Sequence, residues 1–287
     1  MTEIVAVAGA TGYLGRHVCV ALAEAGFAVR ALVRSQEAAR KQGNFEAPSL
    51  ADIATEWSLV DYQRPETLQG VFDGADRVVS TLGVTRQKTS PWDIDFLGNL
   101  RLLEQAEASG VRSFCYANVI RSDSGTSLTM RSKHAFSQVL QRSSVAGQIV
   151  NPSGYFSDMT DLLMMARKGI GLVVGDGQGH VNPIHGADLA AFMVSKLTGP
   201  AGEWDVGGPD IFTYQELTEL AFDIAGRRGR VIHLGPGTTR AMIGIADHAS
   251  LQASNLARFF LEGFQLDATG TCYGTRHLAD YWRTLQA

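Results

Sequence analysis

The chain has 287 residues, of which 45% are hydrophobic and 19% charged, and its formal net charge is -4. This is the composition of an ordinary globular protein that is long enough to bury a substantial core. The mildly acidic balance argues against a nucleic-acid-binding protein, because binding to phosphates requires a basic surface.

The cysteines and the first residues restrict the class further. Cys19, Cys115 and Cys272 are far apart and form no CxxC or Cys/His cluster, so they predict neither a disulfide framework nor a metal site. The opening MTEIVAVAGATG has no basic region ahead of its apolar residues, unlike a signal peptide. No apolar run approaches the ~18 residues of a membrane helix. We therefore expect a cytoplasmic protein with no membrane insertion.

Strand and helix patterns alternate along the first half of the chain. Strands are predicted at residues 4–8, 28–33, 57–60, 77–81, 113–117 and 148–150. Helices are predicted at residues 13–25, 37–42, 94–110 and 128–140. Near-continuous apolar strands separated by helices are typical of a parallel sheet covered on both faces. Because crossover connections are right-handed, the pattern predicts an α/β fold with a doubly wound, Rossmann-type sheet.

The alternation loosens after Pro152. Helical patterns lie at residues 155–168, 187–197, 214–225 and 275–285, with short strands near Leu172, Trp204 and Val231. We predict a dinucleotide-binding domain over residues 1–155 and a smaller mixed α/β substrate-covering lobe over residues 156–287. No flexible linker separates the two halves, so we expect them to be tightly associated.

A glycine-rich turn follows the first predicted strand and opens the first predicted helix. In Gly9-x-x-Gly12-x-x-Gly15, the first glycine permits a tight turn and the second lets the backbone approach a pyrophosphate. The third allows close packing of the helix on the strand, and the phosphates meet the N–H groups of the helix N-terminus. The residues predicted to contact the cofactor here are Gly9, Thr11, Gly12, Tyr13, Leu14, Gly15 and Arg16.

The end of the second predicted strand indicates which dinucleotide is bound. Sites for NAD usually place an acidic residue there to hold the ribose 2′-hydroxyl, but this strand ends at Arg34 with no acid. A guanidinium pairs well with a 2′-phosphate, and Arg16 could reach the same group. The alternative is that both arginines are solvated surface charges. Together they favour NADP(H), with NAD(H) still possible.

Several segments resemble the atypical short-chain dehydrogenase/reductases, above all the NmrA-like and isoflavone-reductase-like members. They are GATGYLGR (9–16), ALVR (31–34), VDY (60–62), STLG (80–83), Lys133 and NPSGYF (151–156). The segment GDGQGHVNPIHGADLA (175–190) also resembles divinyl-chlorophyllide reductases. The resemblance implies that Asp61 and Tyr62 flank the adenine and that Thr81, Leu82 and Gly83 line the ribose and pyrophosphate. The glycine motif is specific for cofactor and fold, and nothing in the resemblance is specific for a substrate.

The resemblance also implies the catalytic candidates Lys133, Tyr155 and Asn118. Lys133 would hydrogen-bond the nicotinamide ribose, Asn118 stands at a strand end where relatives often have Ser, and Pro152 to Tyr155 would border the nicotinamide. The alternatives are a surface lysine and a packing tyrosine. The family's acid, a Tyr four residues before the Lys, is here Thr129, a far weaker acid than a phenol of pKa about 10. The usual Tyr–Lys proton relay is therefore absent, although isoflavone-reductase-like relatives use the Lys alone.

Two main functional hypotheses follow. The first is an NADPH-dependent reductase acting on a small conjugated or aromatic carbonyl, enone or quinone, with the protein supplying orientation, a dry pocket and a proton. The second is a non-catalytic, NmrA-like protein that binds the dinucleotide and passes its redox state to a protein partner. A sugar epimerase or an electron-transport assembly subunit is a third interpretation. No nucleic-acid partner is expected in any of them.

Overall fold

The computed structural model describes residues 2–84 and 89–285. None of the helices in these two ranges is both long enough and apolar enough to cross a membrane.

The first half of the chain alternates strands and helices. Its strands are β1 (Ile4–Ala8), β2 (Ala28–Val33), β3 (Glu56–Leu59), β4 (Arg77–Ser80), β5 (Ser113–Ala117) and β6 (Ala146–Pro152). Its α-helices are α1 (Tyr13–Glu24), α2 (Gln36–Arg40), α3 (Leu97–Ala108) and α4 (Leu128–Gln141). A 3₁₀ helix spans Pro65–Leu68, and a π-helical segment, Trp92–Phe96, runs directly into α3. β1, β2 and β5 have the predicted bounds, and the other predicted elements of this half are shifted only at their ends.

The second half contains more helices than the sequence predicts. Its elements are α5 (Phe156–Arg167), β7 (Ile170–Val174), β8 (His180–Val181), α6 (Gly186–Lys196), β9 (Gly202–Gly207), β10 (Phe212–Thr213), α7 (Tyr214–Ala225), β11 (Arg230–Leu234), α8 (Pro236–Ala249), α9 (Leu251–Gly263), β12 (Thr271–Cys272) and α10 (Leu278–Thr284). The sequence analysis missed α8 and α9. Thr239 is the one buried residue of α8, so α8 lacks the wide apolar stripe that marks a core-facing helix.

The main sheet has eight strands in the order β3-β2-β1-β4-β5-β6-β9-β12. β1 pairs parallel with both β2 and β4, and β5 pairs parallel with β4 and β6. The first six positions have the strand order of a dinucleotide-binding Rossmann sheet, which confirms the predicted doubly wound α/β fold. In such a sheet the carboxyl ends of β1, β2 and β4 lie at one edge, where ligands bind.

The chain divides into two compact units whose boundaries differ from the predicted division at residue 155. The first unit contains the chain up to Asn118, then Ser132–Val150 and Leu189–Trp204. The second contains Val119–Arg131, Asn151–Asp188 and the chain from Asp205 onward. Most of α6 thus belongs to the first unit, although its sequence lies in the predicted lobe.

Hydrogen bonds explain why residues 189–204 belong with the first unit. The carbonyl oxygen of Leu197 accepts bonds from Arg77 Nη1 and Ser113 Oγ, at 3.0 and 2.9 Å. Both donors lie on central strands of the sheet, β4 and β5. A parallel sheet needs apolar cover on both faces, and here that cover comes from a distant part of the sequence.

Helix α4 is held to the sheet by an aromatic cluster in the first unit. The Phe136 ring packs against Tyr116 and Phe114 of β5, with centroids 4.7 and 5.9 Å apart, and all three side chains are fully buried. Aromatic side chains contribute large buried areas to a core. This packing fixes the part of α4 that carries Lys133.

Candidate functional site

The glycine turn has the local geometry that its sequence predicts. Gly9 adopts φ of 74°, a left-handed conformation that favours glycine. A Cβ on Gly15 would collide with the backbone oxygen of Gly9, so this position allows close packing of α1 against the turn. A Cβ on Gly12 would meet only that same oxygen, at 3.2 Å, and would otherwise point into open space. The backbone at Gly12 is therefore accessible to a ligand.

The N-terminus of α1 faces this accessible turn. Gly12 is the N-cap residue, no side chain caps the first turn, and that turn contains no acidic residue. Leu14 is buried and the Tyr13 ring packs edge-on against His17. Uncapped N–H groups together with the positive end of the helix dipole suit a phosphate. We therefore expect Tyr13 and Leu14 to contact a ligand through their backbone.

A cleft opens beside the turn, and we call it the glycine-turn cleft. It is lined by Gly9, Thr11, Gly12, Leu32, Val33, Arg34, Asp61, Tyr62, Gln63, Thr81, Leu82, Gly83, Val84, Thr89 and Ile94. Nine of the predicted cofactor-binding residues are in this set. They come together because they follow β1, β2, β3 and β4, whose carboxyl ends share one edge of the sheet. Leu32, Val33, Gln63, Val84, Thr89 and Ile94 were not predicted.

The two arginines predicted to meet a 2′-phosphate have different environments. Arg34 is exposed, lines the glycine-turn cleft and forms no ion pair within the described part of the chain. Arg16 is only 4% exposed and lies outside the cleft lining. Its guanidinium donates to the carbonyl oxygens of Thr11, Ala38, Ala39, Lys41 and Pro48. The geometry therefore contradicts the predicted phosphate contact of Arg16, because its donors already bind the backbone around α2.

Tyr62 contacts the glycine turn directly. Its buried hydroxyl accepts a hydrogen bond of 2.9 Å from the Gly9 N–H, and burial raises the pKa of Tyr62 to about 12. The neutral phenol therefore persists across the physiological range. The carboxylate of the neighbouring Asp61 accepts from the N–H of Gln63 in its own turn. Tyr62 thus has a structural role that the resemblance alone did not indicate.

Lys133 lies next to Gly83, at the edge of the glycine-turn cleft. A Cβ on Gly83 would sit 3.2 Å from Lys133 Nζ. The ammonium donates to Ala117 O at 3.1 Å, faces Asp95 Oδ1 at 3.3 Å and lies 5.1 Å from the centre of the Tyr116 ring. Its side chain is only 13% exposed. The alternative of a solvated surface lysine does not agree with this environment.

Asp95, the partner of Lys133, was missed by the sequence analysis. It belongs to the π-helical segment and is completely buried. Burial raises the pKa of the Asp95 carboxyl, while the Lys133 ammonium and the Val84 N–H act to lower it. π-Helical turns are rare in proteins, and those that occur are often found at functional sites. No reliable sequence signature marks them. The segment WDIDF (92–96) contains two acidic residues, Asp93 and Asp95, and the sequence does not indicate which of them is buried.

Thr129, at the position of the missing tyrosine, is bound to a residue far along the chain. Its N–H donates to Asn255 Oδ1 at 2.9 Å, and its hydroxyl accepts from Asn255 Nδ2 at 3.0 Å. Both residues are buried in the second unit. Thr129 and Asn255 thus satisfy each other, and the sequence contains no signal for this pairing because Asn255 lies on the unpredicted helix α9.

The remaining catalytic candidates are placed as follows. Asn118, at the end of β5, is 2% exposed, and its N–H donates to Val150 O. Pro152 is the last residue of β6 and is buried. Tyr155 is the N-cap residue of α5, is half-buried and forms an isolated β-bridge with Ile184. Asn118 belongs to the first unit, and Pro152 and Tyr155 belong to the second.

The fold and the glycine-turn cleft define a dinucleotide-binding α/β protein of the Rossmann class. The family model described as NAD(P)H-binding matches residues 9–200, so the chain belongs to this NAD(P)H-binding family. The match begins at Gly9, the first glycine of the turn. The cofactor assignment therefore agrees with the geometry of the cleft.

Comparisons with individual proteins point to reductases and to one assembly factor. The chain is 26% identical to a ceramide reductase of Caulobacter vibrioides over 83% of this chain and 76% of that protein. It is 24% identical to the photosystem II assembly factor Ycf39 of Trieres chinensis over 78% of this chain and 70% of that protein.

The fold is also similar to that of a solved reductase. The NADPH-dependent quinone oxidoreductase QOR2 of Escherichia coli, solved with NADPH, superposes with a TM-score of 0.74 at 18% identity. The match covers 99% of this chain and all of that one. At this identity the likeness concerns the fold.

Proposed function

We propose that this chain is an NADPH-dependent reductase of a small conjugated carbonyl, enone or quinone, in the NmrA-like and isoflavone-reductase-like group. The observation that carries the proposal is the Lys133 ammonium held beside Gly83 at the edge of the glycine-turn cleft. A buried cation at that place can donate a hydrogen bond to a ligand. The similarities to a ceramide reductase and to a quinone oxidoreductase support reduction as the type of reaction.

The residues present fit NADPH. The uncapped N-terminus of α1 and the open side of Gly12 would hold the pyrophosphate. Arg34, exposed in the cleft and without an ion pair in the described ranges, would pair with the 2′-phosphate. No acidic residue stands at the end of β2 to favour a 2′-hydroxyl. We propose that these features make NADPH the preferred cofactor over NADH.

NADPH, when bound, supplies a hydride to the substrate. Lys133 contributes the positive charge and a hydrogen-bond donor. Among the described residues its ammonium donates one hydrogen bond, to Ala117 O, and forms an ion pair with Asp95 Oδ1, so donor capacity remains for the cofactor ribose or a substrate oxygen. Thr129 would add no acid, because its hydroxyl is engaged with Asn255. Tyr155 stays the proton-donor candidate that the sequence resemblance implies.

The alternative is a non-catalytic protein that binds NADP(H) and reports its redox state to a protein partner. The similarity to the assembly factor Ycf39 and the engaged hydroxyl of Thr129 favour this second candidate. Both candidates use the glycine-turn cleft in the same way. They differ in whether Lys133 meets a substrate.

A turnover test separates the two candidates. NADPH oxidation is measured with a panel of quinones, enones, aldehydes and long-chain ketones. We expect at least one acceptor to be reduced. The double variant Asp95→Asn/Lys133→Met removes both charges together and should bind NADPH while losing turnover. The control is Lys168→Met, at an exposed lysine at the end of α5, which should keep full activity.

Two results would overturn the reductase proposal. One is no turnover by the wild-type protein across the panel, together with NADPH-dependent capture of a defined protein partner. The other is undiminished turnover by the Asp95→Asn/Lys133→Met variant, which would remove Lys133 from the reaction.

A further inference from the structure

Asp95 connects two segments that meet at the edge of the glycine-turn cleft. Its Oδ2 accepts the Val84 N–H at 3.0 Å, in the segment that follows β4. Its Oδ1 faces Lys133 Nζ at 3.3 Å, on α4. One buried carboxylate thus contacts both the backbone that lines the cleft and the cation beside it.

The two oxygens of this carboxylate are not equally satisfied. Oδ2 has a hydrogen bond, whereas Oδ1 is buried and makes none within the described part of the chain; its contact with the ammonium is an ion pair at longer distance. A Cβ on Gly83 would lie 2.9 Å from Oδ1 and 3.2 Å from Lys133 Nζ. The glycine therefore leaves both charged atoms next to the cleft-lining backbone without covering them.

In the described part of the chain, one charged side chain lies within ion-pair distance of Lys133. β5 contributes the Ala117 carbonyl and the Tyr116 ring, the segment after β4 contributes Gly83, and the π-helical segment contributes Asp95. Asp95 is the single carboxylate within ion-pair distance of Nζ among the described residues. A nearly buried ammonium is stable only when an opposite charge or strong hydrogen bonds replace the lost water.

The geometry points to Asp95 as the positioning residue for Lys133: its carboxylate holds the ammonium in place beside Gly83. The inference rests on the proposed function, in which Lys133 meets the cofactor and the substrate. It adds that the position of the Lys133 ammonium depends on a residue of the π-helical segment. An amide at position 95 would keep the shape of the side chain and the contact with Val84, but it would remove the counter-charge.

The test compares two identical substitutions in the same segment. Asp95→Asn removes the buried carboxylate, and Asp93→Asn removes an exposed one two residues earlier that has no ion pair in the described ranges. The position of the Lys133 side chain is followed by NMR of the lysine Cε and Nζ resonances at one pH, because these resonances sense the nearby Tyr116 ring. The assignment uses the Asp95→Asn/Lys133→Met variant, in which this signal is missing.

In Asp95→Asn we expect the Lys133 resonances to move from their wild-type positions, because the ammonium loses its ion pair beside the Tyr116 ring. Asp93→Asn should leave them in place. In Asp95→Asn kcat should fall by up to about 100-fold, since a misplacement of about 1 Å can have an effect of that size. NADPH affinity should fall less than kcat.

Unchanged Lys133 resonances in folded Asp95→Asn protein would overturn the inference. Should that variant fail to fold, Asp95→Glu retains the charge but displaces it by one methylene. It should move the Lys133 resonances and lower kcat, and an unchanged kcat would contradict the positioning role. Because the NMR comparison needs no turnover, displaced Lys133 resonances in a protein that reduces nothing would leave this inference standing and reject the reductase proposal alone.

Discussion

Helix α4 carries two polar residues four positions apart, the buried Thr129 and the largely buried Lys133, whose environments are opposite. Thr129 and Asn255 exchange hydrogen bonds in a neutral pair. Lys133 and Asp95 form a charged pair in which the ammonium still has a donor that the described residues do not use. The first pair therefore fastens α9 to the start of α4, and the second leaves a cation directed at the glycine-turn cleft.

The difference shows which polar groups are able to take part in binding or chemistry. A buried donor or acceptor that the protein already satisfies contributes to the fold, whereas one with remaining capacity can bind a ligand. The same contrast separates Arg16, whose guanidinium binds five carbonyl oxygens, from Arg34, which is exposed in the cleft. Within each comparison the two residues differ in the partners that they contact.

The largest expected effect on stability comes from removing the cation of the Lys133–Asp95 pair while its carboxylate stays. Lys133→Met leaves the Asp95 carboxylate buried without its cation, which should lower the free energy of unfolding by about 3–5 kcal/mol. The double variant Asp95→Asn/Lys133→Met should recover most of this loss. Urea denaturation followed by circular dichroism measures both. Equal stability of the single and double variants would show that the two charges are not coupled.

Substitution of the two arginines should have smaller effects, on stability for Arg16 and on cofactor affinity for Arg34. Arg16→Met leaves carbonyl oxygens around α2 without donors, which should lower the free energy of unfolding by up to about 3 kcal/mol. Arg34→Met should change it by less than about 0.5 kcal/mol. It should instead lower the affinity for NADPH about tenfold or more, which is equivalent to losing one charge-assisted pair. The affinity for NADH should stay unchanged.

Thermal denaturation without cofactor and calorimetric titration with each dinucleotide measure these two quantities. If Arg34→Met lowered the affinities for NADPH and NADH equally, Arg34 would have no contact with a 2′-phosphate. If Arg16→Met left stability unchanged and lowered NADPH affinity selectively, the assignment of Arg16 to the fold would be wrong.

The smallest expected effect belongs to the neutral pair. Thr129→Val removes the hydroxyl but keeps the N–H that donates to Asn255 Oδ1, so the free energy of unfolding should fall by only about 1 kcal/mol. Turnover and its pH profile should stay as in the wild-type protein. A loss of turnover as large as that of the Asp95→Asn/Lys133→Met variant would show that the Thr129 hydroxyl takes part in the reaction.

Much of the first unit could be predicted from local patterns. The strands up to β6 were located because each is a short apolar run between helical patterns, and the glycine turn was recognised because it stands between a strand and a helix. The second half was harder to predict. β8, β10 and β12 have two residues each, which is too short for a recognisable strand pattern. Helices α8 and α9 were missed and have few buried residues.

The sequence by itself determined the class of the protein: the order of its elements, the edge of the sheet where a ligand binds and the NAD(P)H-binding turn. These follow from hydrophobic periodicity and from the conformational freedom of glycine, which act over a few neighbouring residues. Only the tertiary structure decided which polar groups are satisfied. Asp95 meets Lys133, Asn255 meets Thr129 and Arg16 meets the backbone around α2 because long-range packing selects each partner. Sequence position alone carries no record of such contacts.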